Sequence, residues 1–203
     1  MEELLLGGNS AFDELVNEVV KENYKDRRII INEDISDSLL ESVCLYILKF
    51  NAEDKDIPVE KRKPIWIILN SAGGSVTFGM GILDCIIHSV TPVNCLIVGL
   101  AASMASYIPM VCSRSYIMPN GVICIHDGQT GIIQTSRKAN DTMNFYNKCD
   151  ERLHEIILKE TNITQEFLDE IADREYYIFS EKAKELGIVT HIVGVDCSLN
   201  DVL

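Results

Sequence analysis

The stretch that decides the fold is residues 99–106, which read Gly-Leu-Ala-Ala-Ser-Met-Ala-Ser. The apolar, β-branched run 93–98 before it predicts a buried strand, and the apolar run 107–112 after it predicts the start of a buried helix. Ser103 therefore stands where a strand turns into a helix. A helix start offers unpaired N–H groups and a partial positive charge, which favour a developing anion. Ser103 is thus a candidate nucleophile, with helix capping as the alternative because no G-x-S-x-G elbow is present.

Length and charge narrow the class of protein. A chain of 203 residues that is 47% hydrophobic predicts a single domain, 1–203, with a substantial core. The net charge of −13 argues against a nucleic-acid binder or an anionic-membrane binder, because such surfaces need clustered Lys and Arg. No apolar run reaches the roughly 18 residues of a membrane span.

The first residues and the cysteines predict a cytoplasmic protein. Residues 1–3 are acidic where a secretory signal is basic. The cysteines are odd in number, contain no C-x-x-C and mostly lie in apolar runs, which predicts buried reduced thiols and not a metal site. They are Cys44, Cys85, Cys95, Cys112, Cys124, Cys149 and Cys197.

Predicted helices and strands alternate through the chain, which indicates one α/β domain with strands covered on both faces. Strands are predicted at 28–31, 65–69, 93–98, 115–118, 122–126, 176–179 and 188–193. Helices are predicted from Ser10 to Val20 behind a flexible tip, from Ser36 or Asp37 to Phe50, and at 76–88, 135–159, 164–172 and 181–186, the last capped by Ser180. Residues 51–63 are charged and predict an exposed connection.

Two further segments follow strands. The turn 70–75, Asn-Ser-Ala-Gly-Gly-Ser, presents free N–H groups at the carboxyl end of strand 65–69, where α/β folds keep their sites. Plain chain reversal is the alternative, since the turn matches neither a Walker loop nor G-x-G-x-x-G. His126 ends the strand 122–126 before the glycine-containing loop 127–131. Composition alone leaves three competing histidines, which are His88, His154 and His191.

The helix 135–159 contains no Pro or Gly and has sparse apolar positions. We therefore expect part of it to project from the domain or to meet another subunit. Its larger apolar residues are Met143, Phe145, Tyr146, Leu153, Ile156 and Ile157.

Taken together, these motifs resemble the proteolytic subunit of the ATP-dependent Clp protease, a serine peptidase with the crotonase-like fold. The resemblance runs from Asp26 to Val193 and is carried by segments 69–74, 101–104, 119–120, 125–126 and 183–189. It implies an α/β spiral of repeated β-β-α units with a protruding handle helix at about 135–160. It leaves open whether residues 1–25 form the family's axial pore loops.

The resemblance also implies a role for each site residue. Ser103 would be the nucleophile, His126 the general base, and the backbone N–H groups of Gly74 and Met104 the oxyanion hole. The family's orienting Asp falls on Glu175, with Asp173 as the substitute acid if the register slips. A neutral imidazole activates a serine hydroxyl, and each preset oxyanion donor contributes a factor of roughly 100 to 1,000.

The sequence departs from the family pattern at four places. Ala72 replaces a proline, the segment between Ser103 and His126 is about two residues short, Asp127-Gly128 replaces Gln-Pro, and Glu175 replaces Asp. These departures indicate a divergent or phage-type branch of the family.

By the resemblance, the chain would be a serine endopeptidase subunit that degrades unfolded polypeptides. It would work inside a chamber of two stacked heptameric rings, a tetradecamer, with the 135–159 helix at the ring-to-ring contact. An AAA+ ATPase unfoldase would be the partner and would alone use ATP, so no metal or organic cofactor is expected.

Two other functions stay open. Because Glu175 replaces the family's Asp, one alternative is an inactive ring subunit or assembly scaffold. A crotonase-fold acyl-CoA hydratase or isomerase would use the same glycine turn to hold a thioester enolate. The aligned Ser103 and His126 argue against acyl-CoA chemistry, since those enzymes usually use carboxylates.

Overall fold

A mostly parallel sheet forms the centre of the computed structural model, which describes residues 11–128 and 133–202. Its strands within those ranges are β1 (Arg28–Ile31), β2 (Ile65–Ser71), β3 (Val93–Ala102), β4 (Arg114–Ile117), β5 (Val122–Ile125), β6 (Tyr176–Phe179) and β7 (His191–Ile192). The helices are α1 (Ala11–Lys25), α2 (Asp37–Glu53), α3 (Val76–Ile87), α4 (Tyr107–Val111), α5 (Ser136–Glu160), α6 (Gln165–Ile171) and α7 (Ser180–Glu185). Short 3₁₀ turns lie at Val59–Lys61, Ser103–Ser106 and Leu199–Asp201. The predicted α/β class is confirmed.

The sheet runs in the order β1-β2-β3-β4-β7, and all of these neighbours are parallel. β5 pairs in parallel with β3, and β6 pairs antiparallel with β5. Strands of a parallel sheet are buried on both faces, so they read as continuous apolar runs. This explains why Ile65, Trp66, Ile67 and Leu69 of β2 are all buried.

One edge of β3 is shared by two strands. Residues 94–97 pair with β4, and residues 100–102 pair with β5. On the other edge the register with β2 shifts between the pairs Leu69↔Ile97 and Ser71↔Ala101. β3 therefore carries extra residues at this point and continues past its predicted end at 98.

The Asn70 side chain occupies the irregularity between β2 and β3. Its Oδ1 accepts a hydrogen bond from the backbone N–H of Leu100 at 2.9 Å, and its Nδ2 donates to Asn32 Oδ1 at 2.7 Å. A Cβ on Gly99 would lie 2.5 Å from Asn70 Oδ1, so a larger residue would displace this amide. The Asn70 side chain thus supplies a hydrogen bond that the irregular pairing of β2 with β3 lacks, and β3 continues from there into its pairing with β5.

Helix caps account for two predicted boundaries. Ser36 Oγ accepts from the N–H of Leu39 at 3.2 Å and begins α2, and Thr164 Oγ1 accepts from the N–H of Phe167 at 3.3 Å and begins α6. These bonds satisfy amides that a helix leaves unpaired at its start. The apolar face of α2 packs onto the sheet through Leu39, Val43, Ile47 and Phe50.

Other predicted boundaries also differ from the structure. α2 extends to Glu53, so the connection predicted at 51–63 begins later. Ser180 is the first residue of α7 and not its cap, since its Oγ donates to the carbonyl of Pro119 at 3.0 Å. The last strand is only His191–Ile192, because the chain before it bonds elsewhere: the N–H of Ile188 donates to Ala183 O at 2.9 Å. The flexible tip predicted before Ser10 lies outside the described residues.

The long helix α5 packs against the domain over only part of its length. Its buried residues are Cys149, Leu153 and Ile157, all in the carboxyl-terminal half. Met143 and Phe145, earlier in the helix, are exposed. The amino-terminal half therefore presents apolar side chains that the described part of this chain does not cover.

All seven cysteines lie in the described ranges and are free thiols. Cys95, Cys124 and Cys149 are buried as predicted, whereas the other four are half-buried. None of the helices in the described ranges combines the length and apolar character that crossing a membrane requires.

A buried ion pair fixes the end of α2. Asp54, whose side chain is 1% exposed, accepts from the Arg27 guanidinium at 2.5 and 2.7 Å and from Thr91 Oγ1 at 2.9 Å. The Arg27 hydrogen bond is the main cause that lowers the pKa of Asp54. Asp54 thereby joins the chain before β1, the end of α2 and the segment before β3.

We expect Asp54→Asn to lower the free energy of unfolding by about 3–5 kcal/mol at pH 7, because it leaves the Arg27 charge largely buried and unpaired. The carboxylate's contribution is present above the unfolded pKa of about 3.9 and is lost as the pH falls through the lower folded pKa. The gap between wild type and variant should therefore narrow at about pH 3. Urea titrations followed by fluorescence of Trp66, the single tryptophan, measure the free energy of unfolding of wild type and variant at the two pH values.

The matched control is Glu185→Gln, which breaks the exposed ion pair between Lys182 and Glu185. Exposed pairs contribute about 0–1 kcal/mol, so this variant should unfold near the wild-type midpoint. Equal losses in the two variants would contradict a special role for Asp54.

Candidate active site

Ser103 occupies a strained turn at the carboxyl end of β3. It follows Ala102, which is extended, and has a φ of +52°, in the left-handed region that non-glycine residues seldom adopt. Ser106 Oγ donates to the carbonyl of Ser103 at 2.7 Å and holds the turn. In the described chain no side-chain hydrogen bond caps this turn or α4, so helix capping does not account for Ser103. Such strain is typical of functional positions.

The glycine pair lies directly against this turn. A Cβ on Gly73 would stand 2.6 Å from Ser103 Cβ, 2.8 Å from the carbonyl oxygen of Ala102 and 3.2 Å from the nitrogen of Met104. Gly73 and Gly74 also have φ values of +106° and +142°. Only glycine fits this close approach and this backbone conformation.

Ile35 holds the glycine turn from the other side. Its N–H donates to the carbonyl of Gly73 at 2.7 Å, and its carbonyl accepts from the N–H of Ser75 at 3.0 Å. The amide of Gly74 lies between these two bonds and donates to no acceptor in the described residues. The amide of Met104 is in the first turn of its helix, where no earlier helical carbonyl is available. The two predicted oxyanion-hole residues thus lie on adjoining backbone segments beside Ser103.

His126 reaches the same edge of the sheet from β5. The parallel register pairs Ala102 with Cys124, so Ser103 and His126 leave neighbouring strands at the same end. His126 is half-buried, and its Nδ1 lies 2.8 Å from the carbonyl oxygen of Asp127. Because a carbonyl only accepts, Nδ1 carries the proton in this contact, which leaves Nε2 of the neutral ring able to accept one.

Glu175 lies near His126 without bonding to it. The antiparallel register pairs Ile125 with Tyr176, which sets Glu175 opposite His126 just beyond the paired residues. Glu175 Oε2 accepts from the hydroxyl of Tyr177 at 2.8 Å, and this bond is the main cause that raises the pKa of Tyr177. A cleft lined by His126, Asp127, Gly128, Asp173, Arg174 and Glu175 lies between the two segments. The predicted contact between Glu175 and His126 stays a prediction.

Sequence analysis assigned no role to Asp127, yet its side chain and its backbone both make hydrogen bonds at the site. Oδ2 accepts from the backbone N–H of Asp173 at 2.5 Å, and Asp173 has a φ of +61°. Asp127 therefore ties the loop that precedes β6 to the loop that carries His126. The Asp-Gly pair after the histidine, which departs from the family pattern, was the signal that could have pointed to it.

A second cleft opens between His126 and α5. It is lined by Tyr107, His126, Asp127, Gly128, Asp150 and His154. Burial raises the pKa of Tyr107, and the charges of Asp150 and Asp127 add to this effect. Burial also raises the pKa of Asp150, assisted by Asp127 and opposed by His154.

The three competing histidines lie in surroundings that differ from that of His126. His154 faces the second cleft from α5. His88 ends α3, and His191 stacks on Tyr116 with ring centroids 4.9 Å apart. Over residues 11–128 and 133–202, no group of three or more His, Cys, Asp or Glu side chains could hold a metal ion.

Comparison with protein families gives a match that covers most of the chain. The family model described as Clp protease matches residues 12–196. The matched range contains β1 to β7 and every candidate site residue.

We expect Gly73→Ala to lower hydrolysis of a short fluorogenic peptide by about 100-fold or more. The added Cβ would collide with Ser103 Cβ and the Ala102 carbonyl and so displace the amides beside Ser103. The control is Gly194→Ala, which also has a left-handed φ, +83°, but whose Cβ would meet no atom within 4 Å. It should cost stability and keep the activity. Equal activity in the two variants would show that the contact with Ser103 does not matter.

Proposed function

The chain belongs to the Clp protease family, and on this premise we propose that it is a serine endopeptidase with Ser103 as nucleophile and His126 as general base. One observation carries the proposal. Ser103 stands in a left-handed turn packed against Gly73, and His126 directly follows the neighbouring strand β5. Nucleophile, base and amide donors are then all supplied at one edge of the sheet, where parallel sheets keep their sites.

In the proposed mechanism, Ser103 Oγ attacks the carbonyl carbon of the scissile peptide bond while Nε2 of His126 takes the hydroxyl proton. The negative charge develops on the carbonyl oxygen, where the N–H groups of Gly74 and Met104 would bind it. His126 then gives the proton to the leaving amine. Water, activated by the same imidazole, hydrolyses the acyl-enzyme and frees Ser103.

His126 must keep its proton on Nδ1 for this sequence to work. The hydrogen bond from Nδ1 to the Asp127 carbonyl supports that tautomer. We assign Glu175 as the acid that would stabilise the imidazolium, because the register of β5 with β6 sets it opposite His126. Asp173, in the same cleft, is the alternative acid.

Members of the Clp protease family generally form oligomers and work with unfoldases. We propose two stacked heptameric rings that enclose the active sites, with α5 at the ring-to-ring contact. The exposed Met143 and Phe145 on the half of α5 that lacks buried residues support this contact, because exposed apolar side chains often mark an interface. An AAA+ ATPase would deliver unfolded polypeptides and would be the only user of ATP.

The cellular setting follows from the same proposal. The seven free cysteines are typical of a reducing compartment, so we place the protein in the cytoplasm. The acidic charge of −13 gives no support to a nucleic-acid or membrane partner.

A second candidate, an inactive ring subunit or scaffold, has one observation in its favour. Glu175 accepts a hydrogen bond from Tyr177, and the His126 ring bonds to the Asp127 carbonyl, so within residues 11–128 and 133–202 no carboxylate bonds to His126. The two candidates differ in whether Ser103 is reactive, and a covalent probe separates them.

We expect a fluorophosphonate probe to modify Ser103 alone, as read by intact mass and peptide mapping. Ser103→Ala should remove the label, and His126→Ala should abolish it because the hydroxyl then has no base. Ser113→Ala, at an exposed serine away from the site, should label like wild type. Modification of Ser71 or Ser106 would overturn the assignment. No label on the folded wild type would favour the scaffold.

The same labelling assay tests which carboxylate, Glu175 or Asp173, assists His126. If Glu175 acts on His126, Glu175→Gln should slow labelling by up to about 10⁴-fold, and Asp173→Asn should be nearly silent. Tyr177→Phe, which removes the competing hydrogen bond, should speed labelling. Equal rates for wild type, Glu175→Gln and Glu175→Asp would remove Glu175 from the mechanism.

We expect light scattering to find a ring assembly many times the subunit mass of 22.8 kDa. Phe145→Glu should weaken it, because a charge would enter the apolar part of α5. The control, Asn144→Glu, adds the same charge at an exposed polar position of the same helix. A monomer across the micromolar range in wild type would rule out the chamber.

A further inference from the structure

Two thiols outside the candidate site are in direct contact. Cys44 of α2 and Cys85 of α3 have their sulfur atoms 2.6 Å apart, and both are free and half-buried. They are 41 positions apart in the chain, so the contact exists only in the folded protein. The proposed peptidase chemistry uses neither of them.

The backbone packing of α2 and α3 fixes this contact. Ahead of both helices, Ile35 bridges to Gly74. One step further, a Cβ on Gly81 would stand 2.9 Å from Leu40 Cδ1, so the missing side chain of Gly81 lets the helices approach. Cys44 and Cys85 follow Leu40 and Gly81 by four residues each, which is about one turn in both helices. The helices therefore run side by side in the same direction, and the two thiols are successive neighbours along their contact.

We propose that Cys44 and Cys85 form an oxidisable dithiol, which hydrogen peroxide converts into a disulfide that joins α2 to α3. The thiols are already adjacent, so the reaction needs no rearrangement of the fold. Both are also partly open to solvent, which gives a small oxidant access.

Two steps balance the reaction. The Cys85 thiolate attacks one peroxide oxygen, which gives Cys85 sulfenic acid and releases hydroxide. The Cys44 sulfur, its proton taken up by that hydroxide, then attacks the sulfenic sulfur, forms the S–S bond and displaces a second hydroxide, which leaves as water once protonated. In sum, two thiols and one peroxide give one disulfide and two waters.

The surroundings of the pair assign the order of attack. Burial, followed by the hydrogen bond to Cys85, raises the pKa of Cys44 to about 12. A raised pKa disfavours the Cys44 thiolate, so we assign Cys44 as the S–H donor in the contact between the two sulfur atoms. Cys85 is left as the attacking sulfur, and Cys44 resolves the sulfenic acid.

A second thiol contact shows why the reaction should be selective. Cys95 is hydrogen-bonded to Cys112, but Cys95 is fully buried in β3, and burial raises its pKa well above the ordinary value. Neither peroxide nor a charged thiolate is favoured there. Cys124 and Cys149 are buried as well.

The disulfide would close a loop from residue 44 to residue 85, which contains β2 and the glycine turn 70–75. A closed loop restricts the unfolded chain and so stabilises the folded state. We expect the unfolding midpoint to rise by about 5–10 °C on oxidation.

The test treats the folded full-length protein with hydrogen peroxide and reads intact mass, free thiols and linked peptides. We expect a loss of about 2 Da, loss of two of the seven thiols, a peptide that joins Cys44 to Cys85, and reversal by dithiothreitol. Cys112→Ser, which removes the other pair, should still form the bond. Seven remaining thiols, or a bond to any other cysteine, would overturn the proposal.

Single variants test the order of attack with dimedone, which traps sulfenic acid. Cys44→Ser should accumulate an adduct on Cys85, whereas Cys85→Ser should form none on Cys44. An adduct on Cys44 in Cys85→Ser would overturn the assigned roles. These readouts do not depend on peptidase activity, so they stand or fall separately from the proposed function.

Discussion

The contact between Gly73 and Ser103 is the constraint on which the rest of the structure depends. It joins the end of β2 to the end of β3 at a distance that admits no Cβ on Gly73. Ser103 can adopt its left-handed backbone only because that space is empty. Ile35 can form its hydrogen bonds with the glycine turn only because Gly74 also lacks a side chain. Two strand ends, one helix start and the chain before α2 are thereby held around one hydroxyl group.

The division of β3 between two partners completes this arrangement. An unbroken pairing with β4 would leave β5 without a place beside residues 100–102. The Asn70 amide stabilises the irregularity by supplying the acceptor that Leu100 needs. His126 then arrives next to Ser103 because it follows β5, which pairs with residues 100–102 of β3. The crotonase-like class that the family implies agrees with this mixed α/β arrangement.

Most strands could be predicted because apolar, β-branched runs dominate them, and β1 and β6 have the predicted bounds. The extension of β3 through Ala102 could not, because Gly and Ala carry no strand preference and the pairing with β5 decides it. Ser103 and His126 follow from motifs at strand ends. The hydrogen bonds of His126 with Asp127 and of Glu175 with Tyr177 depend on rotamers, and the contact of Cys44 with Cys85 depends on helix packing. Sequence patterns carry neither kind of information.

The pairing of β5 with β6 also affects when the protein can become active during its own synthesis. Ile123 pairs with Ile178, and the whole of α5 lies between them in the chain. The loop that meets Asp127 and the strand that carries Tyr177 are therefore translated long after Ser103 and His126. Pairings between distant segments form late because the intervening chain must first be ordered. A nascent chain thus holds the proposed nucleophile and base on the ribosome before the surroundings of His126 exist, and the completed candidate site belongs only to a nearly finished polypeptide.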